Sequence, residues 1–235
     1  MPRLSAKELD KICERQLFSL PYFRAMLRAC EQRFYEELNI QEPILDIGAG
    51  DGHFAEAFLK PKQLIGLDPW WPPLQEAKQR KVYPLLTLAK GDQIPFEEAS
   101  FPSAISNSVL EHIPDLDPVL KDVYRALEPG GKFYFTVPNE RFIDQLWGIK
   151  VLTKFGLSAL AKPYSKFFNK VCRHINLNSP EVWEARLKRA GFKEVTHWNY
   201  FPVGAMQMLE RGHLFGIMTL FYKKTIGRWI LFPSR

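Results

Sequence analysis

The sequence predicts an α/β protein built on a doubly wound, seven-stranded, mostly parallel sheet, and three observations carry that expectation. Short β-rich runs alternate with stretches of helical periodicity, the pattern of strands joined by crossover helices. The first of those runs passes through a glycine-rich turn straight into a helix, an arrangement that brings backbone N–H groups close to a ligand at a strand end. The chain's 235 residues are 46% hydrophobic and 25% charged. That composition excludes a disordered or collagenous chain and suits one core with additions, since single cores stop growing at roughly 250 to 300 residues.

Taken in order, Ser5 and Glu8 form a capping box that opens a helix, which Pro21 interrupts. From there Phe23, Leu27, Cys30, Phe34 and Leu38 recur every three to four positions and give a second helix one apolar face, ending near Asn39. Parallel strands are expected at Ile44 to Ile47, Leu64 to Leu67, Leu85 to Ala89, Ala104 to Ser106 and Phe133 to Val137. Between the last two, Asp117 caps a helix with Pro118 at its first position. Val119, Leu120, Val123, Tyr124 and Leu127 make its buried face, and Glu128-Pro129-Gly130-Gly131 ends it. Ser179-Pro180 opens a further helix that Gly191 stops; Phe192 to Trp198 and Gly216 to Tyr222 then supply two more strands.

Charge divides the chain. Residues 1–140 hold 16 basic and 21 acidic side chains, net −5, whereas residues 141–235 hold 16 basic and 5 acidic, net +11. Between Arg141 and His174 the basic residues are interleaved with Phe, Leu and Tyr and opposed by Asp144 alone, so the segment reads as a basic amphipathic insertion. A solvated helical face and a surface for an acidic substrate, anionic lipid or nucleic acid are both open readings. Cys13, Cys30 and Cys172 are odd in number and form no CxxC pair, which argues against a disulfide scaffold or zinc knuckle and makes a reducing cytoplasm the expectation. The opening MPRLSAKELDKICERQ places charges where an export signal needs an apolar run. Gly212 to Tyr222 is far shorter than the roughly 20 apolar residues of a membrane span. No HxxxH or CxxC spacing suggests a metal site.

The glycine turn constrains its ligand. Asp46-Ile47-Gly48-Ala49-Gly50-Asp51-Gly52 departs from a dinucleotide GxGxxG, because the third glycine of that pattern would fall on His53. Asp46, two positions before the first glycine, would repel phosphates but receive an ammonium group. Asp68 ends the second strand, where a carboxylate can accept ribose hydroxyls, and Asp92 follows the third, where it can face an exocyclic amine.

In order and spacing, ILDIGAGDG, IGLD, KGDQIPFEEASF, AISNSVLEHIPDL and LEPGGKFYFTVPN resemble the successive motifs of the class I S-adenosylmethionine-dependent methyltransferases, especially the type 11 small-molecule group. The resemblance covers residues 43–140 strongly and Ser179 to Tyr222 weakly. It implies a Rossmann-like methyltransferase fold with S-adenosylmethionine as cofactor and S-adenosylhomocysteine as product. Carried onto these positions, it implies that Asp46 and the backbone of Gly48, Ala49 and Gly50 face the methionine moiety. Asp68, followed by Pro69, would take the ribose; Asp92 and the Gln93 backbone would hold adenine; Asn107 and Ser108 would lie beneath the sulfonium. Trp70 would roof the adenine or belong to the core. On this reading residues 1–40 are a helical cover and 41–140 the cofactor-binding core. Residues 141–178 are an inserted basic and aromatic lid, and 179–235 supply a helix and an antiparallel strand pair that complete the sheet.

Methyl transfer asks mainly for positioning, exclusion of water and, for a hydroxyl acceptor, removal of a proton. His112, after the strand that carries Asn107, and His174, just before the helix at Ser179, are the candidate bases. The expected function is methylation of a small organic acceptor, O-methylation first. Two alternatives stand beside it: a non-catalytic protein that binds the cofactor, and a peripheral methyltransferase of a lipid or prenylated acceptor at an anionic membrane. Nucleic acid is not expected, because Asn107-Ser108-Val109-Leu110 lacks the Asn/Asp-Pro-Pro-aromatic tetrad of amino-group base methylases.

Overall fold

The computed structural model describes residues 20, 22–36, 38–58, 63–200, 204, 206–208, 210–212 and 224–225. The helix expected from Ser5, the strand expected over Gly216 to Tyr222 and most of the C-terminal tail lie outside the described residues. The element order is α1 (Tyr22–Glu36), β1 (Ile44–Ile47), α2 (His53–Phe58), β2 (Leu64–Asp68), α3 (Trp71–Arg80), β3 (Leu85–Leu88), β4 (Phe101–Asn107), α4 (Leu116–Ala126), β5 (Leu127–Thr136), α5 (Trp147–Lys154), α6 (Ser158–Cys172) and α7 (Pro180–Ala190). The chain forms two compact units. Asn39–Glu140 with Arg173–His197 make a sheet unit, and Met1–Leu38, Arg141–Cys172 and Trp198–Arg235 make a helical unit.

In the sheet unit five parallel strands run in the order β3-β2-β1-β4-β5. The chain steps outward from β1 through β3, then returns beside β1 and steps the other way. Right-handed crossovers therefore place α2 and α3 on one face and α4 on the other. All four residues of β1 are buried, as a central strand covered on both faces requires. Leu116, Val119, Leu120, Val123 and Ala126 turn inward from α4 and meet Leu45, Ile47 and Leu67 of the sheet and Trp183 and Leu187 of α7.

Three details differ from the sequence expectation. Helix α4 begins at Leu116 rather than after Asp117. Pro118 is still tolerated because first-turn N–H groups have no intrahelical partner, and Asp117 pairs instead with Arg186 of α7 at 2.5 Å. The helix also stops earlier, so Leu127 is the first residue of β5, and Tyr124 is 42% exposed with its ring edge against Phe192 at 5.1 Å. Finally, Phe192 to Trp198 forms no strand. Phe192 and Val195, an odd number of positions apart, both pack against the same core, whereas a strand would send them to opposite faces. The described sheet therefore has five strands where seven were expected.

In the helical unit, α1 buries Ala25, Ala29 and Tyr35, whereas Leu27, Cys30 and Phe34 of the expected stripe are half-buried. Phe34 instead packs on Tyr35, Trp198 and Tyr200 with ring centroids 5.0 to 5.3 Å apart. Helices α5 and α6 are joined by a tight turn and touch where the Tyr164 ring lies over Gly148; a Cβ there would come within 2.5 Å of the ring. The fully buried Glu210 accepts hydrogen bonds from the Trp147 and Gly148 N–H groups and the Tyr164 hydroxyl, and so caps α5. Burial and then this hydrogen bond to Glu210 hold the Tyr164 phenol well above its ordinary pKa.

Candidate functional site

A parallel sheet brings the carboxyl ends of its strands to one edge, and that edge gathers most of the residues singled out from the sequence. β1 and β4 are adjacent at the point where the winding reverses, the place where open α/β sheets bind ligands. The Ser106 hydroxyl of β4 donates to the Ile47 carbonyl of β1 at 2.9 Å and ties the two ends together.

The turn after β1 leans over β2. Gly48 and Ala49 donate their N–H groups to the Leu67 carbonyl at 2.8 and 3.0 Å. Gly50 donates to Asp68 Oδ2 at 3.0 Å. Gly48 and Gly50 have φ of 81° and 54°, and their reasons for being glycine differ. A Cβ on Gly48 would strike the Val109 methyls at 2.5 Å, so Gly48 serves packing. A Cβ on Gly50 would meet nothing nearer than 3.9 Å, so its backbone is the open part of the turn. Asp68 holds the next strand end: its other oxygen accepts from Trp70 N at 2.9 Å. A carboxylate offers about four lone-pair sites. Two are used here, which leaves one on each oxygen for a diol.

Asp46 is buried, and its Oδ2 accepts from the Tyr83 hydroxyl at 2.6 Å. The Tyr83 ring fits because Gly66, paired with Asp46 in the ladder, has no side chain; a Cβ there would lie 2.8 Å from the ring. Burial first, and then the charge of Asp46 and this hydrogen bond, hold the Tyr83 phenol well above its usual pKa, so it remains a donor. Sequence reading missed Tyr83. The available signal was the isolated glycine inside β2, which marks close approach by another group.

Asp92 and Gln93 are exposed on the turn after β3 and Pro69 is exposed after β2. The loop that carries Asp92 is clamped from α4. Asp122 accepts from Ile94 N at 2.5 Å, while Arg125 donates to the Ile94 and Phe96 carbonyls at 2.9 and 2.8 Å and to Asp122 at 2.6 Å. Both α4 residues were missed. Asn107 is buried and its Oδ1 accepts from the Thr136 hydroxyl at 2.7 Å. Ser108 follows at φ 54°, its N–H donating to the Thr136 carbonyl. Trp70 and Trp71, at 65% and 55% exposure, are not core residues.

His112 and His174, 62 positions apart, are brought together. Their rings stack with centroids 5.7 Å apart and planes inclined 26°. The Glu111 carbonyl accepts from Ile175 N and Asn176 N, and Asn176 Nδ2 donates to the Ile113 carbonyl at 2.6 Å, so the 173–176 segment is fastened to the turn that carries His112. His112 Nδ1 lies 2.9 Å from the Arg173 carbonyl oxygen. A carbonyl only accepts, so Nδ1 donates this bond, and Nε2 on the other side of the ring lies 3.8 Å from Glu111 Oε1.

Residues 45–135 match the family model described as a methyltransferase domain, type 11. This segment is a class I methyltransferase domain. Relatives and solved structures agree on its nature. A ubiquinone/menaquinone biosynthesis C-methyltransferase of Rhizobium etli is 27% identical over 148 residues, covering 59% of this chain and 55% of the relative. A ubiquinone biosynthesis O-methyltransferase of Idiomarina loihiensis is 33% identical over 118 residues, covering 45% and 46%. The chain thus spans about half the length of the curated relatives it matches. The methyltransferase fold recurs in an S-adenosylmethionine-dependent methyltransferase of Thermotoga maritima, with TM-score 0.58, 22% identity and coverage of 77% and 76%. It recurs also in phosphoethanolamine N-methyltransferase 2 of Haemonchus contortus, with TM-score 0.57, 21% identity and coverage of 97% and 55%. For a methyltransferase domain the cofactor is S-adenosylmethionine, and the donor set fits it: a buried carboxylate on the strand that leads into an open glycine backbone, and a second carboxylate, bonded to that backbone, with lone pairs to spare.

Proposed function

We propose that the chain is an S-adenosylmethionine-dependent methyltransferase of a small organic acceptor, with a hydroxyl as the group methylated. The observation that supports it best is the placement of Asp46, the Gly50 backbone and Asp68 at neighbouring strand ends beside the switch point. In this reading Asp46, held by Tyr83, draws the ligand's ammonium group. Asp68 orients the ribose, the exposed Trp70 beside it covers the adenine, and Asp92 with Gln93 reads the adenine edge. Asn107 and Ser108 line the floor near the reacting centre. The bound cofactor would supply an electrophilic methyl group. The chain's own task is then to hold the acceptor oxygen in line and remove its proton, which falls to His112 Nε2, with His174 fixing the ring plane by stacking. Acceptor choice is assigned to segments outside residues 41–140, since the recognisable core residues serve the cofactor.

The test combines calorimetry with S-adenosylhomocysteine and product release from S-adenosylmethionine with a panel of hydroxylated aromatic and prenylated acceptors. Binding with turnover is the expected result. Binding without turnover across hydroxyl, amine and carbon acceptors would favour the non-catalytic reading, and no binding would overturn both.

A further inference from the structure

We propose that the α5–α6 hairpin carries a docking face for an anionic lipid surface, on which the protein rests without crossing the bilayer. This inference does not depend on methyl transfer. The argument starts from charge. Residues 145–172 contain five lysines, Lys150, Lys154, Lys162, Lys166 and Lys170, and no acidic residue. Three of them, Lys162, Lys166 and Lys170, are spaced four apart and so share one face of α6.

Next to that face runs an exposed apolar stripe. Leu160, Phe167 and Val171 are separated by seven and four positions, which aligns them along one line of the helix, and they are 52%, 57% and 47% exposed. Phe155 and Leu157, in the turn between the helices, are 71% and 49% exposed. The hairpin's own packing does not need these side chains, because Phe142, Leu146 and Phe168 already fill its interior. Five large apolar groups beside a row of lysines form a patch of the kind that marks a binding surface. The chemistry selects lipid over nucleic acid. A phosphate backbone would use the lysines and leave the aliphatic Leu157, Leu160 and Val171 in water, whereas a bilayer interface takes both, apolar groups below the headgroups and ammonium groups among them. Among the described residues no helix is long and apolar enough to cross a membrane, so the contact is with the surface.

Flotation of the full chain with vesicles tests this, using neutral phosphatidylcholine and the same lipid with about one-third anionic phosphatidylserine. Each lysine near an anionic surface raises affinity roughly fivefold. Lys162→Gln, Lys166→Gln and Lys170→Gln together should therefore weaken partition on the order of 100-fold. Raising salt from about 0.1 to about 0.5 M should weaken the wild type in the same direction. Phe167→Asp with Val171→Asp should abolish flotation while circular dichroism stays unchanged, since both side chains are exposed. Failure of the wild type to float with anionic vesicles, equal flotation with neutral ones, or full flotation of the Asp variant overturns the proposal. A gel shift with duplex DNA by a protein that ignores vesicles overturns it in favour of nucleic acid. Vesicle binding without cofactor binding would sink the methyltransferase reading and leave this one standing.

Discussion

The two units use their carboxylates differently. In the sheet unit, the buried Asp46 and the half-buried Asp68 stand near strand ends, partnered on one side by Tyr83 or by backbone amides while Asp68 keeps acceptor capacity outward. In the helical unit, Glu210 is enclosed by three donors and Glu31 is buried against Arg28 at 2.5 Å, so both hold structure. The helical unit presents something else to its surroundings, exposed lysines and apolar side chains. On the two proposals above, chemistry falls where parallel strands end and surface recognition where helices are added. Each contrast can be broken experimentally.

The largest effect should come from Glu210→Ala. It leaves two helix N–H groups and the half-buried Tyr164 phenol without their acceptor, at a cost of about 3 to 5 kcal/mol summed over three hydrogen bonds to a charged group. Hydrogen exchange should show lost protection at the Trp147 and Gly148 amides. Retained protection would mean that Glu210 is as dispensable as a surface residue. Next, His112→Ala should lower kcat for a hydroxyl acceptor by on the order of 100-fold with S-adenosylhomocysteine affinity unchanged. An equal loss with a carbon acceptor of no ionisable proton would deny it the role of base. Asp68→Ala should weaken S-adenosylhomocysteine binding by about 1 to 3 kcal/mol in calorimetry, through loss of charge-assisted hydrogen bonds to the diol and of the anchor for Gly50 N–H.

How much of this was legible in the sequence follows from distance along the chain. The five strands and the glycine turn are local patterns, and a parallel sheet then forces Asp46, Asp68, Asp92 and Asn107 to one edge. That part was readable. The start of α4 was misplaced because Pro118 satisfies any first-turn position and Asp117 can cap or pair equally well; only the position of Arg186 decides. The Tyr83–Asp46 bond spans 37 positions and the clamp of Ile94 by Asp122 spans 28. No periodicity reports such pairs. His112 and His174 were each singled out by their neighbours, but their stacking depends on the 173–176 segment bonding to the Glu111 carbonyl. The aromatic residues of the insertion looked alike in sequence, and only burial separates Phe142 and Phe168, which pack inward, from Phe155 and Phe167, which face out.

The smallest effect is the sharpest test of the contrast. Tyr83→Phe removes one hydroxyl and should cost only about 1 kcal/mol of stability, because the ring still fills the space over Gly66. Its consequences should be visible in pH. The folded Tyr83 phenol titrates well above its ordinary value of 10.0, chiefly through burial and then through Asp46. The unfolded chain would therefore lose this proton first as pH rises. Stability from the pair is complete below pH 10, declines above it and is lost as pH climbs through the folded value. The phenylalanine variant lacks that decline, so the stability difference between wild type and variant should shrink above pH 10. Tyr134 and Tyr164 are also raised but are common to both proteins and cancel in the difference. If Asp46 also receives the cofactor's ammonium group, the variant should bind S-adenosylhomocysteine several-fold more weakly at neutral pH, and bind the same compound lacking its amino group as tightly as the wild type does. A variant that loses stability but treats both compounds as the wild type does would assign Asp46 to the structural side, alongside Glu210.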